Sequence, residues 1–473
     1  MKNKKMILAC MMLIMSVLFF TACDSTIEAD PVIVQYSGSV RLSFQWTDGR
    51  TECPECASTY VKVQTELYGD FDYGPYPFSF DGTYLAEVLS GYGHTVIAWV
   101  TDEGGRVIYR GVVNGVSILG GIENPAIDVA LYPRGWYTVT TSQPSINWGL
   151  NDVKMSDSGN GWIVGWDTAG GRGVVFRGGV DSWVLDALSV TSTSNWKLNG
   201  IAVASEGGWA VGRDNQNNKG IILRNSGLWN DDVTEPAVSA DWELFAVDFY
   251  QTNIGWAVGR DEENATGVIL EYQTSWQVKE GPADLTDYTL LDVEALGHSF
   301  VACGRNNTIG AGFIVQWDGD GAGYTIHQPP TNETADCQTS WELRDIYAVS
   351  DTEWWAVGYC ESNTDDPSFG MVFHYTAATN ELKRDNFTGP EGNWELNGVW
   401  ADDNGEVWAV GVVEGAGAIF HRDSGEIWTR EVANTSLTNW SLNAVDFSNE
   451  WGHSVGTDNT TQRGIILRYP FPH

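Results

Sequence analysis

Gly208-Trp209-Ala210-Val211-Gly212 and Gly255-Trp256-Ala257-Val258-Gly259 are the stretches whose reading decides the fold. Each is a short apolar run bracketed by glycines, the size of a strand buried on both faces. Worn copies of the run end at Gly165, Gly304, Gly358, Gly411 and Gly456. Working upstream, an aromatic residue followed two positions later by leucine opens the units at Trp148, Trp196, Trp242, Trp341, Trp394 and Trp440. The fourth unit carries Thr289 there, with Tyr288 beside it. Downstream comes glycine, three apolar residues and a polar one, as in Gly220-Ile221-Ile222-Leu223-Arg224 and Gly464-Ile465-Ile466-Leu467-Arg468. The first landmark recurs every 49 residues or so, within the roughly 40–50-residue period of a four-stranded propeller blade. The spacing predicts an all-β chain with a seven-bladed β-propeller over 135–473, its fourth unit degenerate at Thr289 and Val301.

The fourth strand of a unit opens on Trp136, Trp183, Trp229, Trp276, Tyr324 or Trp428, with Leu382 in the fifth. The last unit ends at Tyr469 without such a strand, while Trp136 precedes the first complete unit. Strand 136–140 is therefore expected to close the seventh blade, removing a sheet edge that would otherwise stand open.

Ahead of the repeats, 36–134 alternates with period two, as in Val61-Lys62-Val63-Gln64-Thr65 and Ile127-Asp128-Val129-Ala130-Leu131. This pattern predicts a small β-sandwich, and it resembles the immunoglobulin-like and carboxypeptidase-regulatory-like modules of exported proteins. Residues 1–22 read as a signal peptide. Lys2, Lys4 and Lys5 precede an apolar run from Met6 to Phe20, about 15 residues where a spanning helix needs ~20. Phe20-Thr21-Ala22-Cys23 resembles the lipobox of bacterial lipoproteins, which implies lipidation at Cys23 and a polar tether over 23–35. Phe20 departs from the usual leucine. The implied address is the bacterial cell envelope, periplasmic or surface-exposed.

Gly208–Gly212 and Gly255–Gly259 also resemble the BNR-like propellers of photosystem II stability and assembly factors, over about 330 residues. That implies the fold strongly and the function weakly, because one fold serves many tasks. The Asp-box signature of true BNR repeats is intact nowhere; Asp423-Ser424-Gly425-Glu426-Ile427-Trp428 is the nearest remnant.

The formal charge is −36, which opposes binding to phosphate backbones and excludes nucleic acid as an expected partner. Export permits disulfides. Cys337 and Cys360 flank neighbouring strands of the fifth unit, so a bond is expected there, worth about 3 kcal/mol in the chain-entropy picture. Cys53-Pro54-Glu55-Cys56 lacks the βαβ context of a redox motif and reads as a local disulfide. Cys303 replaces a core valine of the repeat.

Arg213, Arg260 and Arg305 begin loops on the face that also carries the connections between blades. Beside aromatic residues they form a candidate binding face for an acidic or sugar ligand. The competing reading pairs them with local acids such as Glu243, Glu342 and Glu395, and wedges the Trp rings between blades. Sevenfold recurrence favours packing, since a single ligand site need not repeat. His374 and His421 stand at equivalent positions of neighbouring units with no carboxylate partner evident in the sequence. No metal site, cofactor or catalytic residue is expected, because no metal-ligand spacing, nucleophile motif or nucleotide fingerprint is present. The expected function is a non-catalytic, membrane-anchored binding or scaffold propeller, monomeric as an ectodomain, recognising an envelope protein or a glycan. The alternative is a periplasmic or cell-surface glycoside hydrolase or lyase of sialidase-like architecture.

Overall fold

A computed structural model describes residues 37–469, except 47–52, 66–68, 80–81, 104–106, 140, 157–158, 180–181, 191–193, 205–206, 233–235, 320–322, 332, 338–339, 362–366 and 449–450. The leader, Cys23 and the tether lie outside the described residues.

The N-terminal unit holds strands β1 (Ser37–Trp46), β2 (Ser58–Thr65), β3 (Gly69–Pro77), β4 (Thr83–Leu89), β5 (Gly91–Thr101), β6 (Val107–Ile118) and β7 (Ile127–Pro133). They join as one seven-stranded sheet in the order β3-β2-β5-β6-β7-β1-β4. Strand β6 pairs with β7 through Tyr109↔Pro133 and Arg110↔Tyr132, and the Arg134 N–H donates to the Ile108 carbonyl at 3.0 Å beside them. One core, including Val40, Leu42, Val61, Val63, Ala98, Val129 and Leu131, fills the fold. The alternating burial of β1 and β2 puts every second side chain there. Cys53 and Cys56 are disulfide-bonded beside this core.

Seven further sheets follow, six formed by consecutive strands of one repeat. Their inner strands are Trp148–Met155, Trp196–Ala204, Trp242–Gln251, Tyr288–Leu296, Trp341–Ser350, Trp394–Ala401 and Trp440–Phe447. The seventh sheet takes its outer strand from the other end of the chain. Strand β8 (Trp136–Thr138) pairs antiparallel with Arg463–Tyr469 through Leu467↔Thr138 and Arg468↔Tyr137. Trp136 is fully buried against Trp408, Phe447 and Tyr469. Arg110 of the N-terminal unit lies 5.4 Å over Trp451, and Arg468 lies 4.3 Å over Tyr132, so the two units meet at this closing blade.

Two of the sequence landmarks have one cause. The Trp opening each inner strand lies across the glycine that begins the third strand of the preceding blade. A Cβ on Gly173 would come within 2.4 Å of Trp196, on Gly220 within 2.2 Å of Trp242, and on Gly464 within 2.1 Å of Trp148. The remaining landmark glycine answers a β-bulge. In each blade the inner strand carries one extra residue, Asn199 for example, between Leu198↔Gly212 and Gly200↔Val211. The bulge brings the backbone so close that a Cβ on Gly212 would sit 2.1 Å from the Lys197 carbonyl. The Trp rings are thus blade packing.

The fourth blade is complete. Tyr288, 1% exposed, takes the Trp position by lying over Gly267, and Val301 is fully buried. The expectation of a degenerate unit placed the landmark one residue late, at Thr289.

Candidate binding face and central channel

Inner strands line the propeller's channel, and two side-chain positions on each face it. The first, just after the bulge, carries Asp152, Asp292 and Asp345 in the first, fourth and fifth blades. The second, two residues on, carries Lys154, Asp248, Glu294, Tyr347 and Asp446. A cavity of about 50 Å³ remains among them.

Most of these acids hold a neighbouring blade. Asp152 Oδ2 accepts from the Ile201 N–H at 2.8 Å, Asp248 from Ala295 at 2.9 Å and Asp292 from Ile346 at 2.9 Å. Asp345 accepts from Val399 at 2.6 Å and Asp446 from Met155 at 2.6 Å. Asparagines at the bulges do the same work with their amides: Asn151 to the Leu198 carbonyl, Asn199 to Leu244, Asn397 to Leu442 and Asn443 to Leu150. Every one of the seven junctions therefore has at least one inner side chain bonded to the next blade's backbone. This satisfies groups that the bulges leave without ladder partners.

Lys154 lies 3.7 Å from Glu294 and 3.8 Å from Asp248, with Tyr347 beneath it at 5.9 Å. Burial raises the carboxyl groups, pushing Asp152 and Asp345 up to about 7 and Asp446 to about 6, and Asp292 and Glu294 well above the usual range. Beyond burial, neighbouring Asp345 lifts Asp292 further, whereas Asp292 holds Asp345 down. Burial would lower the Lys154 ammonium, but Glu294, Asp248 and Asp446 outweigh it and hold the group above its ordinary value.

The sequence-derived arginines lie together on the loop-rich face and are spent on ion pairs. Arg213 reaches Asp241 at 2.7 Å and Glu243 at 3.8 Å. Arg260 reaches Glu262 at 2.8 Å and Asp287 at 3.0 Å. Arg305 reaches Glu361 at 2.7 Å and Glu342 at 3.7 Å. Arg344, which sequence reasoning missed, bridges Glu342 and Glu395, both at 2.8 Å, and stacks 4.0 Å over Tyr359. These pairs tie the second blade to the third and so on to the sixth.

The residue after Arg213, Arg260 and Arg305 caps the following turn. Asp214 accepts from the Gln216 and Asn217 N–H groups, and Asp261 from Asn264 and Ser239. In the fifth blade Cys360 stands there, and its disulfide to Cys337 replaces the Ser239–Asp261 type of clasp. Cys303 is a fully buried free thiol, raised by that burial.

His374 and His421 do have carboxylate partners. Nε2 of His374 lies 2.9 Å from Glu353, and that of His421 2.9 Å from Glu406. Each ring stacks on a Trp, Trp355 and Trp408 respectively. The partners lie across the hairpin, out of reach of linear reading. Among the described residues no group of three or more His, Cys, Asp or Glu could hold a metal.

Between the first and second blades the same face opens into a cleft of about 290 Å³, lined by Trp166, Thr168, Arg172, Asn195, Lys197 and Asn215 among others. Trp166 occupies the place of Arg213 in the repeat and pairs with Gly149; a Cβ on that glycine would meet its ring at 2.6 Å.

No family model and no curated protein matches the chain. Among solved structures it is similar to YCF48 bound to D1 peptide, at 18% identity over 71% of this chain and 96% of that one, with a TM-score of 0.48. The WD40 propeller domain of Doa1 gives 12%, 71%, 97% and 0.48. The GH74 xyloglucanase from Xanthomonas campestris gives 12% identity and a TM-score of 0.46 over 68% of this chain, which spans about half of that enzyme, 52%. Identities this low leave function to be argued from the chain's own residues.

Proposed function

We propose that the chain is a non-catalytic binding or scaffold propeller of the bacterial envelope, held to a membrane through lipidated Cys23. It presents its loop-rich face to a protein or a glycan, and the N-terminal unit serves as a small immunoglobulin-like sandwich that spaces the propeller from the anchor. The observation that carries this reading is the open cleft between the first two blades. The equivalent junctions further round are bridged by Arg213–Asp241, Arg260–Asp287 and Arg305–Glu342. A face tied by ion pairs from the second blade to the fifth and open at the first junction is a rigid platform with an entry, which lowers the ordering cost of binding.

The channel carboxylates fit this reading better than the glycoside hydrolase or lyase alternative. Most have an oxygen committed to a backbone N–H of the next blade. A general acid and its partner must instead exchange protons with substrate. Pull-down from a membrane extract with the tagged ectodomain tests the proposal. Recovery of neither protein nor glycan at any salt concentration would refute it, and turnover of chromogenic glycosides would establish the alternative. Cys23→Ser is expected to release the chain from the membrane fraction.

A further inference from the structure

The seven repeats allow the cleft to be compared with its own equivalents. The residues flanking the opening aromatic of each blade are Asn147 and Gly149, Asn195 and Lys197, Asp241 and Glu243, Asp287 and Thr289, Ser340 and Glu342, Asn393 and Glu395, Asn439 and Ser441. Six blades thus offer neutral or acidic groups around the aromatic residue; the second offers an amide and a lysine. The preceding hairpin adds Arg172, which is exposed and makes no ion pair among the described residues. It also adds Trp166, where the second, third and fourth blades have an arginine bound to acids. On a chain of charge −36, this junction carries Arg172 and Lys197 beside an aromatic wall.

The remaining polar groups are arranged to leave that wall clear. Asp167, which also lines the cleft across the strand pair from Arg172, is 2% exposed, with its Oδ1 occupied by the Ser145 hydroxyl at 2.5 Å and the Gly170 N–H at 2.9 Å. Glu243 of the third blade holds Lys197 at 2.7 Å. Arg172 makes no ion pair among the described residues, and the amides of Asn195 and Asn215 lie beside it. Asn195 is in the left-handed region at φ 58°, and its carbonyl accepts from the Asn215 N–H at 2.9 Å, which fixes both residues at the rim.

We propose that this cleft is a subsite for an acidic sugar residue, a uronic or comparable carboxylated unit of an anionic glycan. The inference rests on the binding reading above and names its ligand class. Trp166 supplies the flat apolar surface on which a sugar ring stacks, Asn195, Asn215 and Thr168 supply hydroxyl partners, and Arg172 supplies the charge for the carboxylate. A cleft of about 290 Å³ is at the small end of ligand sites, so one sugar unit is held there and the rest of the polymer lies outside.

The test is calorimetric titration of the purified ectodomain with de-esterified oligogalacturonate, oligoalginate and sialyl-oligosaccharides. Fully methyl-esterified oligogalacturonate, which has the same backbone without charge, and neutral xyloglucan and cello-oligosaccharides are the comparison. At least one acidic glycan should bind, its affinity should fall with salt, and Arg172→Ala should weaken it roughly tenfold to a hundredfold, the factor carried by a hydrogen bond to a charged group. Trp166→Ala should weaken it as well, and Arg177→Ala, at the far end of the same strand, should not. Arg172 is exposed, so its removal leaves folding intact. Binding of the esterified or neutral glycans equal to that of the acidic ones would overturn the acidic-sugar assignment and keep the binding function. So would capture of a protein partner unaffected by Arg172→Ala with no acidic glycan bound. If neither glycan nor protein binds, both readings fall.

Discussion

Lys154→Met removes the ammonium that faces Asp248, Glu294 and Asp446 and keeps most of the apolar stem. The side chains are partly enclosed, 27% exposed for Lys154 against 13% and 15% for Asp248 and Glu294. Breaking a fully buried pair costs about 3–5 kcal/mol, and this channel belongs at the low end, about 3 kcal/mol at pH 8. The loss depends on pH. Lys154 opposes the rise of Glu294 and Asp446, whose carboxyl groups burial lifts, Asp446 to about 6. Below pH 6 these groups take up protons and need no counter-charge, so the penalty should shrink to about 1 kcal/mol. The wild type already slopes in this direction. Asp152 and Asp345 titrate near 7 in the fold and near 4 in the unfolded chain. Between about pH 4 and 7 the folded state binds the extra protons, so stability falls as pH rises through that window. Lys154→Met should steepen the slope. Urea unfolding of both proteins at pH 5.5 and pH 8, at one ionic strength, reads the difference from the transition midpoints. A loss equal at both pH values, or larger in acid, would refute the account of the channel.

Trp136→Ala, at the fully buried anchor of the closing strand, should cost about 3–5 kcal/mol, and deletion of 135–142 should lower the melting temperature further; an unchanged thermal transition would show that β8 does not close the ring. Gly220→Ala places a methyl group 2.2 Å from the Trp242 ring and should destabilise by about 1–3 kcal/mol in thermal unfolding, whereas exposed Gly227→Ala, which meets no atom within 4 Å, should lose less despite its φ of 113°. The double change Cys337→Ser with Cys360→Ser should cost about 3 kcal/mol in urea unfolding, and dithiothreitol should lower the wild-type midpoint while leaving that variant unmoved.

The fold was legible because its strongest constraints repeat. Trp242 demands Gly220 and Trp148 demands Gly464 wherever a blade meets the next, so the same residue types return at a fixed interval. The disulfide between Cys337 and Cys360 was legible for a related reason, since both ends of a hairpin can be counted along the chain. Channel acids were less visible. Asp152, Asp292 and Asp345 lie four residues after the opening aromatic, and Asp248, Glu294 and Asp446 six after it, but each occurs in some blades only. Counting from the landmark would have found them, because a position facing the channel in one blade faces it in all. His374 with Glu353, and His421 with Glu406, needed the strand register.

By itself the sequence determined the number of blades, the recurrence of Trp and glycine at fixed places in each, the strand left over for closure and the acidic balance of the whole. These follow from local spacing and from steric rules that act identically in every repeat. Tertiary structure decided what the charges do. Arg213, Arg260 and Arg305 look free in one dimension and are consumed by acids of the next blade in three. Arg172 makes no such pair among the described residues, because its neighbouring blade presents Asn195 and Lys197 instead. Charge–charge energy depends on separation, and separation across a blade junction is set by the closing of the ring.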